Sequence, residues 1–396
     1  MSDKKTIVVG VTGGIAVYKA LDVISKLKKA GLEVHVIMTE HATKFVSPLS
    51  FQSLSQNMVV VDMFAEPKAW EIQHISLAKK ADLMLIVPAT VNVLGKVANG
   101  IADDMLTTTI MATKAPVVFA PAANTNMFLN PIVQDNIRKL KVFGYKFIEP
   151  EEGRLACGDT GSGKLADTTL ISEIVLSMVY DIKDLKGKKV LVTAGPTIAP
   201  VDPVRFITNR SSGKMGYAIA EEARDRGAEV TLISGPCNIN KPFGMKVINI
   251  KENHEMLKAV KENFESSDIV IKAAAVADYK PKNYSNKKIK KVNEDLVIQF
   301  EKDTDILRTI GEMKKNQILV GFAAESDDLI ANAKSKLERK NLDYIVANDI
   351  TCNDTGFACD ENKVNILCRD GRNISISKMS KRMIARELFN IINEKR

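Results

Sequence analysis

The sequence predicts two doubly wound, Rossmann-like α/β domains in one chain of 396 residues. The same sequence pattern occurs twice: apolar runs at 6–11 and 189–193 are each followed by a glycine turn and, further on, by a helical pattern. A strand, a glycine turn and a helix N-terminus form an anion-binding edge, because backbone N–H groups and the helix dipole both face the ligand. Strand and helix patterns also alternate along both halves, which favours parallel sheets.

The first half contains short, almost continuously apolar runs, as expected for strands covered on both faces. These predicted strands lie at 6–11, 33–39, 82–87 and 116–120, and the helical patterns lie at 15–30, 102–113, 131–141 and 168–182. The polar stretch 181–189 around Gly187 predicts a boundary. We therefore expect one domain over 1–186 and a second over 187–396.

The second half repeats the same class of pattern. Its predicted strands lie near 189–193, 229–233, 268–272, 317–322 and 343–347, and its helices near 214–227, 253–265, 304–314 and 327–339. A strand pair at 363–368 and 373–377 and a helix at 379–393 follow. The segment 278–295 is rich in Lys, Asn and Pro and lacks periodicity, so we expect a loop over a site.

The composition is that of a soluble globular protein, with 45% apolar and 26% charged residues. No apolar run is long enough for a membrane helix, and the N-terminus shows no signal-peptide pattern, so we expect a cytoplasmic protein without membrane partners. The five cysteines include no C-x-x-C pair and the four histidines no H-x-x-x-H pair. This argues against a disulfide framework and against a zinc site.

The net charge of +8 lies almost wholly in the second half. Such an excess first suggests nucleic acid. However, the lysine run at 287–291 has no interleaved aromatic residues. A solvated charge run and a polyphosphate site therefore both stay open, and we do not expect a nucleic-acid partner.

The first glycine turn does not fit a dinucleotide site. The run Val9–Gly14 cannot be aligned to G-x-G-x-x-G, and no acidic residue ends the second predicted strand. Without that carboxylate NAD is disfavoured, whereas a mononucleotide such as FMN remains open. Thr12, Thr39 and the loop 88–92 follow predicted strands, where ligands of an open sheet bind.

Four motifs of the first half, at 13–19, 88–90, 100–104 and 121–128, resemble the FMN-dependent cysteine decarboxylases, and 155–163 resembles their substrate flap. With the second half included, nearly the whole chain resembles the family of bifunctional coenzyme A biosynthesis proteins. These proteins join a phosphopantothenoylcysteine decarboxylase to a phosphopantothenate–cysteine ligase. Their decarboxylase oxidises the substrate thiol before CO2 leaves, which places an electron sink beside the breaking bond.

The resemblance assigns roles to three side chains of the first half. His74 would be the base, Asn124 would bind the substrate carboxylate, and Cys157 would donate a proton to the enethiolate. Taken alone, each has a structural alternative: a histidine before a helix, a turn-forming asparagine and a buried cysteine. The FMN contacts would be Gly14, Thr39, Pro88, Thr90 and Asn92. The chain departs from the family pattern at Ala123, Phe128 and Lys164.

The most specific motif of the second half is 202–216, where Arg205 and Asn209 precede a Ser-Ser-Gly-Lys turn. It is not a P-loop, because G-x-x-x-x-G-K-[ST] is absent. The resemblance implies that CTP activates 4′-phosphopantothenate as an acyl-cytidylate, stabilised by Asn209, and that cysteine then displaces CMP. Arg205 would bind the pantothenate phosphate and Phe322 would pack on the base. The CTP contacts would be Ala273, Ala274, Asp278, Lys288, Thr304, Asp305, Ile306, Leu307, Phe322, Lys336 and Lys340, with Mg2+ on the triphosphate.

The resemblance also implies an assembly and leaves alternatives open. Family members form trimers through the flavin half and dimers through the ligase half, which implies a homo-oligomer, a dodecamer. Spacing alone does not decide between CTP and ATP. A related flavoprotein task, such as flavin prenylation or peptidyl-cysteine decarboxylation, is the alternative enzyme. A basic flavin-containing regulator that binds nucleic acid is the non-enzymatic alternative, although no helix-turn-helix, RNP or zinc motif is present.

Overall fold

In the computed structural model, the chain forms two compact units, Met1–Val179 and Tyr180–Arg396. The structure describes residues 4–65, 72–290, 296–325, 329–349 and 360–394. The predicted helix start at 327–328 and the end of the predicted loop at 291–295 lie outside these ranges. Within them, no helix combines the length and apolar character that crossing a membrane requires.

The first unit is a doubly wound sheet with a small hairpin. Its strands are β1 Thr6–Val11, β2 Glu33–Met38, β3 Leu83–Ala89, β4 Val117–Pro121 and β5 Lys146–Phe147, with the hairpin strands β6 Glu151–Arg154 and β7 Thr160–Lys164. Its helices are α1 Val17–Lys29, α2 Glu40–Thr43, α3 Pro48–Ser55, α4 Gln73–Lys80, α5 Val91–Ala98, α6 Met105–Ala112, α7 Thr125–Phe128, α8 Pro131–Val142 and α9 Thr168–Met178.

The main sheet of this unit has the order β2-β1-β3-β4-β5 and is parallel throughout. One face packs against α1, α3 and α9, and the other against α4, α5, α6 and α8. All six residues of β1 are buried, which explains its continuously apolar sequence. The predicted doubly wound class is therefore confirmed for the first half.

The second unit has a larger, mixed sheet. Its strands are β8 Lys189–Ala194, β9 Ile198–Pro200, β10 Phe206–Thr208, β11 Glu229–Ser234, β12 Lys246–Asn249, β13 Ile269–Lys272, β14 Tyr279–Pro281, β15 Phe300–Lys302, β16 Ile318–Glu325, β17 Tyr344–Asp349, β18 Glu361–Cys368 and β19 Asn373–Ser380. Its helices are α10 Lys214–Asp225, α11 Asn253–Phe264, α12 Ile306–Met313, α13 Leu329–Arg339 and α14 Lys381–Asn393.

The order of this sheet is β12-β11-β8-β13-β16-β17-β18-β19, parallel up to β17 and antiparallel beyond it. Helices α10 and α14 cover one face, and α11, α12 and α13 cover the other. Gly216 allows α10 to approach β8, because a Cβ there would lie 2.5 Å from Ala194 Cβ. The doubly wound class is confirmed here too.

Three sequence predictions differ locally from the structure. The helix expected at 102–113 begins at Met105, because Asp104 and Thr107 form a capping box. The helix expected at 168–182 ends at Met178. The segment expected to be a loop at 278–295 contains β14, which pairs with β15 over three residues, too few for a strand period to be visible.

The polar stretch after α9 belongs to the second unit, so the units separate earlier than the expected boundary at 186. The hydroxyl of Tyr180 donates to Glu222 at 2.6 Å, and the ammonium of Lys183 donates to the Asp225 carbonyl at 2.6 Å. Asp184 accepts from the guanidinium of Arg226 at 3.0 Å. These bonds attach the stretch to α10 and to the turn after it.

Candidate functional site

In the first unit, the ends of β1 and β3 meet at the carboxyl edge of the sheet. The hydroxyl of Thr12 donates to the Pro88 carbonyl at 2.6 Å and accepts from the Thr90 N–H at 3.1 Å. A Cβ on Gly14 would lie 3.5 Å from the Thr90 methyl group. The predicted contacts Gly14, Pro88 and Thr90 are therefore brought together around Thr12.

The remaining predicted FMN contacts lie on the neighbouring elements. Thr39 follows β2 and caps α2, its hydroxyl accepting from the Ala42 N–H at 3.3 Å. Asn92 is exposed in the first turn of α5, after the cap residue Thr90. Backbone N–H groups, hydroxyl groups and an amide at one sheet edge fit the phosphate of a mononucleotide.

Asn124 and Cys157 lie together in the structure, and a third residue joins them. The Asn124 amide donates to Cys157 Sγ at 3.4 Å and to Asp159 Oδ2 at 3.2 Å. The Cys157 thiol donates to the same Asp159 oxygen at 3.3 Å. The sequence analysis did not identify Asp159, although it stands in the flap motif two residues after Cys157.

The β6–β7 hairpin holds Cys157 over Asn124. A Cβ on Gly163 would lie 2.4 Å from the Ala123 carbonyl oxygen, and a Cβ on Gly161 would lie 2.6 Å from Thr125 Oγ1. Both glycines are therefore required for the hairpin to lie against the start of α7. Lys164 forms an ion pair with Glu151 at 2.8 Å, and this hydrogen bond raises the pKa of Lys164.

His74 does not join this cluster. It is the second residue of α4, half-buried, and makes no hydrogen bond within the described parts of the chain. The sequence analysis placed it before a helix, whereas Gln73 already begins α4. An unbonded imidazole is compatible with a base, but its role stays a prediction.

The second unit contains a cavity of about 360 Å³ lined by residues of β13, β16 and β17 and of the segment 209–216. Its walls include five lysines, namely Lys214, Lys272, Lys336, Lys340 and Lys381. The only carboxylate among its lining residues within the described chain is Asp278. The predicted residues that line it are Asn209, Ala273, Ala274, Asp278, Leu307, Phe322, Lys336 and Lys340. A concave site with this excess of cations fits a polyphosphate.

Lys272 is the most perturbed cation of this cavity. It ends β13, and its ammonium lies 3.5 Å from the Ala274 carbonyl oxygen. Burial and, to a lesser extent, the nearby charge of Lys340 lower the pKa of Lys272 to about 8, against the opposing effect of Asp305 and Asp278. The sequence analysis noted Lys272 only as the end of a strand.

The side chains of Asn209 and Lys272 contact two neighbouring backbone carbonyl groups. Its amide donates to the Ala275 carbonyl at 3.1 Å, one residue beyond the carbonyl that Lys272 approaches. Since an asparagine amide has two protons, one remains for a ligand. Asn209 can therefore bind an oxygen inside the cavity.

Three predicted CTP contacts at 304–306 do not line the cavity. The Thr304 carbonyl accepts from Asn253 at 3.0 Å, and Ile306 is buried in the core. Asp305 caps α12 and pairs with Lys340 at 2.8 Å. Burial alone would raise the pKa of Asp305, but the Lys340 hydrogen bond and the Arg308 N–H lower it overall.

Arg205 and Lys288 also lie outside the lining of that cavity. Arg205 contacts the Asp202 carboxylate at 3.4 Å and donates to the Ile289 carbonyl at 3.3 Å. Asp202 in turn accepts from the N–H groups of Val204, Arg205 and Ile289, which lower its pKa against the raising effect of burial. This cluster anchors the segment that precedes Lys291. The exposed Lys288 lies on that segment.

Several cavity residues were missed because distant parts of the chain supply them. Asn348 comes from β17, Asn362 from β18 and Lys381 from the start of α14. The Asn348 side-chain oxygen is buried without a hydrogen-bond partner. No local motif marks these residues, since the pairing of β17 with β16 brings Asn348 to the cavity and the addition of β18 to β17 brings Asn362.

The described residues contain no group of three or more His, Cys, Asp or Glu arranged as a metal site. Mg2+ does not need such a group, because it is commonly held by one or two carboxylates together with substrate phosphates. Asp278 is a carboxylate in a suitable place. The cavity therefore fits a metal that enters with a triphosphate.

Two family models match the chain. Residues 1–180 match the model described as "Flavoprotein", and residues 185–395 match "DNA/pantothenate metabolism flavoprotein C-terminal domain". The chain is 48% identical over 395 residues to the coenzyme A biosynthesis bifunctional protein CoaBC of Bacillus subtilis, covering 99% of this chain and 97% of the relative. The protein of that name from Borreliella burgdorferi is 44% identical over 396 residues, covering 99% and 100%.

A solved structure also matches the second half. The C-terminal domain of a coenzyme A biosynthesis bifunctional protein CoaBC is 43% identical, with a TM-score of 0.47, covering 54% of this chain and 97% of that chain.

Proposed function

The chain belongs to the family of coenzyme A biosynthesis bifunctional proteins, and we propose that it catalyses two successive steps of that pathway. The second unit condenses 4′-phosphopantothenate with cysteine at the expense of CTP. The first unit then decarboxylates the product, phosphopantothenoylcysteine, to 4′-phosphopantetheine with FMN. The domains that carry these steps are the two compact units, 180–396 and 1–179, which the sequence predicts at 187–396 and 1–186.

The observation that carries the ligase assignment is the lysine-lined cavity with Asn209 at its wall. The ammonium groups would bind the triphosphate of CTP, and Mg2+ would bind there with Asp278. Attack of the phosphopantothenate carboxylate on the α-phosphorus releases pyrophosphate and gives an acyl-cytidylate. The second amide proton of Asn209 would stabilise this anhydride, and Phe322 would contact the base.

The second half-reaction breaks the anhydride. The cysteine amine attacks the acyl carbon, the bond to the CMP oxygen breaks, and the attacking nitrogen loses a proton. Arg205, held by its contacts to Asp202 and Ile289, would bind the pantothenate phosphate. The product keeps the carboxylate of cysteine, which the first unit then removes.

The decarboxylase assignment is supported by the Asn124–Cys157 contact and by the match to a flavoprotein model. FMN, when bound, supplies the oxidation of the substrate thiol and the later return of the electrons. Thr90, Gly14, Thr39, Pro88 and Asn92 would hold it. His74 would take the thiol proton, Asn124 would bind the carboxylate, and Cys157 would protonate the enethiolate.

We also propose a cytoplasmic homo-oligomer, a dodecamer built from trimers and dimers. The family resemblance supports this assembly, and both units expose large apolar side chains that an interface could cover. They include Phe45 and Phe64 in the first unit, and Phe206 and Phe300 in the second.

One incubation tests both steps. Purified protein is mixed with phosphopantothenate, cysteine, CTP, Mg2+ and FMN, and CMP and CO2 are measured in the same sample. We expect CMP first and CO2 after it, in matching amounts, and slower pyrophosphate release when ATP replaces CTP. CMP without CO2, or protein that stays colourless after FMN addition, would contradict the decarboxylase assignment. Absence of CMP would contradict the ligase assignment.

A further inference from the structure

The flap of the first unit carries a carboxylate with no assigned role. Asp159 contacts the Cys157 thiol at 3.3 Å and the Asn124 amide at 3.2 Å, and has no ion-pair partner within the residues that the structure describes. The two glutamates of the hairpin have partners of their own. Glu151 pairs with Lys164, and Glu152 accepts from the Ser162 hydroxyl at 3.1 Å.

The backbone of the flap presents both side chains to Asn124. The Leu155 N–H donates to the Asp159 carbonyl at 2.8 Å, and the Gly158 N–H donates to the Leu155 carbonyl at 3.0 Å. Gly158 has a φ of +93°, which other residues rarely adopt. The turn is therefore closed on itself, and it carries Cys157 and Asp159 to the same partner.

The orientation of the Asn124 amide is also determined. Its side-chain oxygen accepts from the Asn126 N–H at 2.9 Å, as the cap of α7. The amide nitrogen must then face the flap, where Cys157 and Asp159 accept both of its hydrogen bonds. A substrate carboxylate can reach this amide only if it displaces one of the two acceptors.

We propose that Asp159 is a positioning residue that accepts the S–H of Cys157 and holds the Asn124 amide until the substrate carboxylate takes its place. The inference rests on the proposed decarboxylase function and deepens it. A negative charge beside sulfur disfavours the thiolate, which suits a proton donor. One carboxylate replaces another at the amide, so the exchange leaves the donor paired throughout.

The test measures the thiol directly in the full-length protein without substrate. The rate of Cys157 alkylation by iodoacetamide is followed by peptide mass spectrometry over a range of pH. Asp159→Asn should raise the rate at neutral pH by about fivefold, because one unit charge is removed from beside the sulfur. Asp159→Glu should stay close to wild type. Glu152→Gln is the matched control, because it removes one negative charge from the same hairpin without touching the thiol.

A loosened flap would give a different profile. Loosening raises the alkylation rate at every pH, including the plateau at high pH, whereas removal of the charge shifts the midpoint to lower pH and leaves the plateau unchanged. A raised plateau, or equal rates in Asp159→Asn and Glu152→Gln, would overturn the proposal.

The second measurement is steady-state decarboxylation of 4′-phosphopantothenoylcysteine. With the internal competitor weakened, Asp159→Asn should lower KM, while kcat should fall because the thiol loses the carboxylate that orients its S–H. A raised KM would mean that Asp159 helps to bind the substrate. This would contradict the proposal that the substrate carboxylate displaces Asp159 from the Asn124 amide. If the wild type fails to release CO2 while the alkylation profiles behave as expected, the proposed function fails and the contact of Asp159 with the thiol stands.

Discussion

Lys340 Nζ lies 2.8 Å from Asp305 Oδ2, so that the residue following α13 is tied to the cap of α12 at the cavity. The pair holds one cation at the cavity wall before any anion binds. A triphosphate would compete with Asp305 for this ammonium. The pair thus links the predicted CTP contacts that line the cavity with those that do not.

Removal of the Lys340 charge should weaken CTP binding. We expect Lys340→Met to raise KM for CTP about tenfold, since a hydrogen bond between charged groups is commonly worth roughly 1.5–3 kcal/mol. Steady-state pyrophosphate release measures the effect. Lys334→Met is the matched control, because Lys334 is an exposed lysine of α13 that does not line the cavity. Equal effects in the two variants would contradict a direct contact with Lys340.

Binding of CTP should take up protons near pH 8. In the ligand-free protein the pKa of Lys272 is about 8, below its ordinary value of 10.5. An adjacent triphosphate favours the ammonium and raises this pKa, so binding adds about half a proton at pH 8 and close to none at pH 6. Calorimetry in two buffers of different ionisation enthalpy measures the uptake. Lys272→Met should abolish the proton uptake. Uptake that persists in this variant would mean that another group binds the proton.

The same group makes the second unit more stable at higher pH. Because the folded pKa of Lys272 lies below its unfolded value, the unfolded chain binds more protons between pH 8 and pH 10.5. The contribution of Lys272 to the free energy of unfolding should therefore rise through this window. Urea unfolding gives the free energy of unfolding of the wild type and of Lys272→Met at each pH, and the difference between them isolates the contribution of Lys272. A difference that falls as the pH rises would contradict the prediction.

Replacement of Asn209 should separate the two activities. Asn209→Asp removes the amide protons and places a negative charge beside the phosphoryl group, so ligation should fall by at least about a hundredfold. Decarboxylation of added phosphopantothenoylcysteine should remain at the wild-type rate. CMP and CO2 assays on the same preparation measure both. Loss of both activities would count against separate sites.

The Arg226 cluster should dominate the stability of the second unit. Its side chain is fully buried and donates to Glu222 at 2.8 Å, Asp184 at 3.0 Å and Asn390 at 2.6 Å. Arg226→Met takes the buried cation away from buried Glu222, which keeps the Tyr180 hydroxyl and Arg382 as partners, and should lower the free energy of unfolding by about 3–5 kcal/mol. Arg369→Met, at an exposed ion pair, should lower it by less than about 1 kcal/mol. Urea unfolding measures the loss of unfolding free energy in both variants. Similar losses would contradict the prediction that Arg226 contributes more than Arg369.

Much of the fold could be predicted because the relevant signals are local. A continuous apolar run such as 6–11 has one stable place, inside a sheet covered on both faces, and β1 has those bounds. The short strand β14 could not be predicted, since three residues carry no period and its partner β15 lies beyond an intervening segment. The end of α9 depends on Tyr180 and its bond to Glu222, a contact between residues 42 positions apart.

The candidate sites divide in the same way. By itself the sequence determined the glycine turns, the flap motif and the residues Asn124, Cys157 and Asn209, because each lies in a run of neighbouring residues with a chemical pattern. Only the tertiary structure decided that Asp159 joins Asn124 and Cys157, that Lys272 is buried among other charges, and that Asn348, Asn362 and Lys381 reach the cavity. The physical reason is that burial, electrostatic coupling and hydrogen bonding depend on distances across the fold, which strand pairing and helix packing establish and local sequence does not.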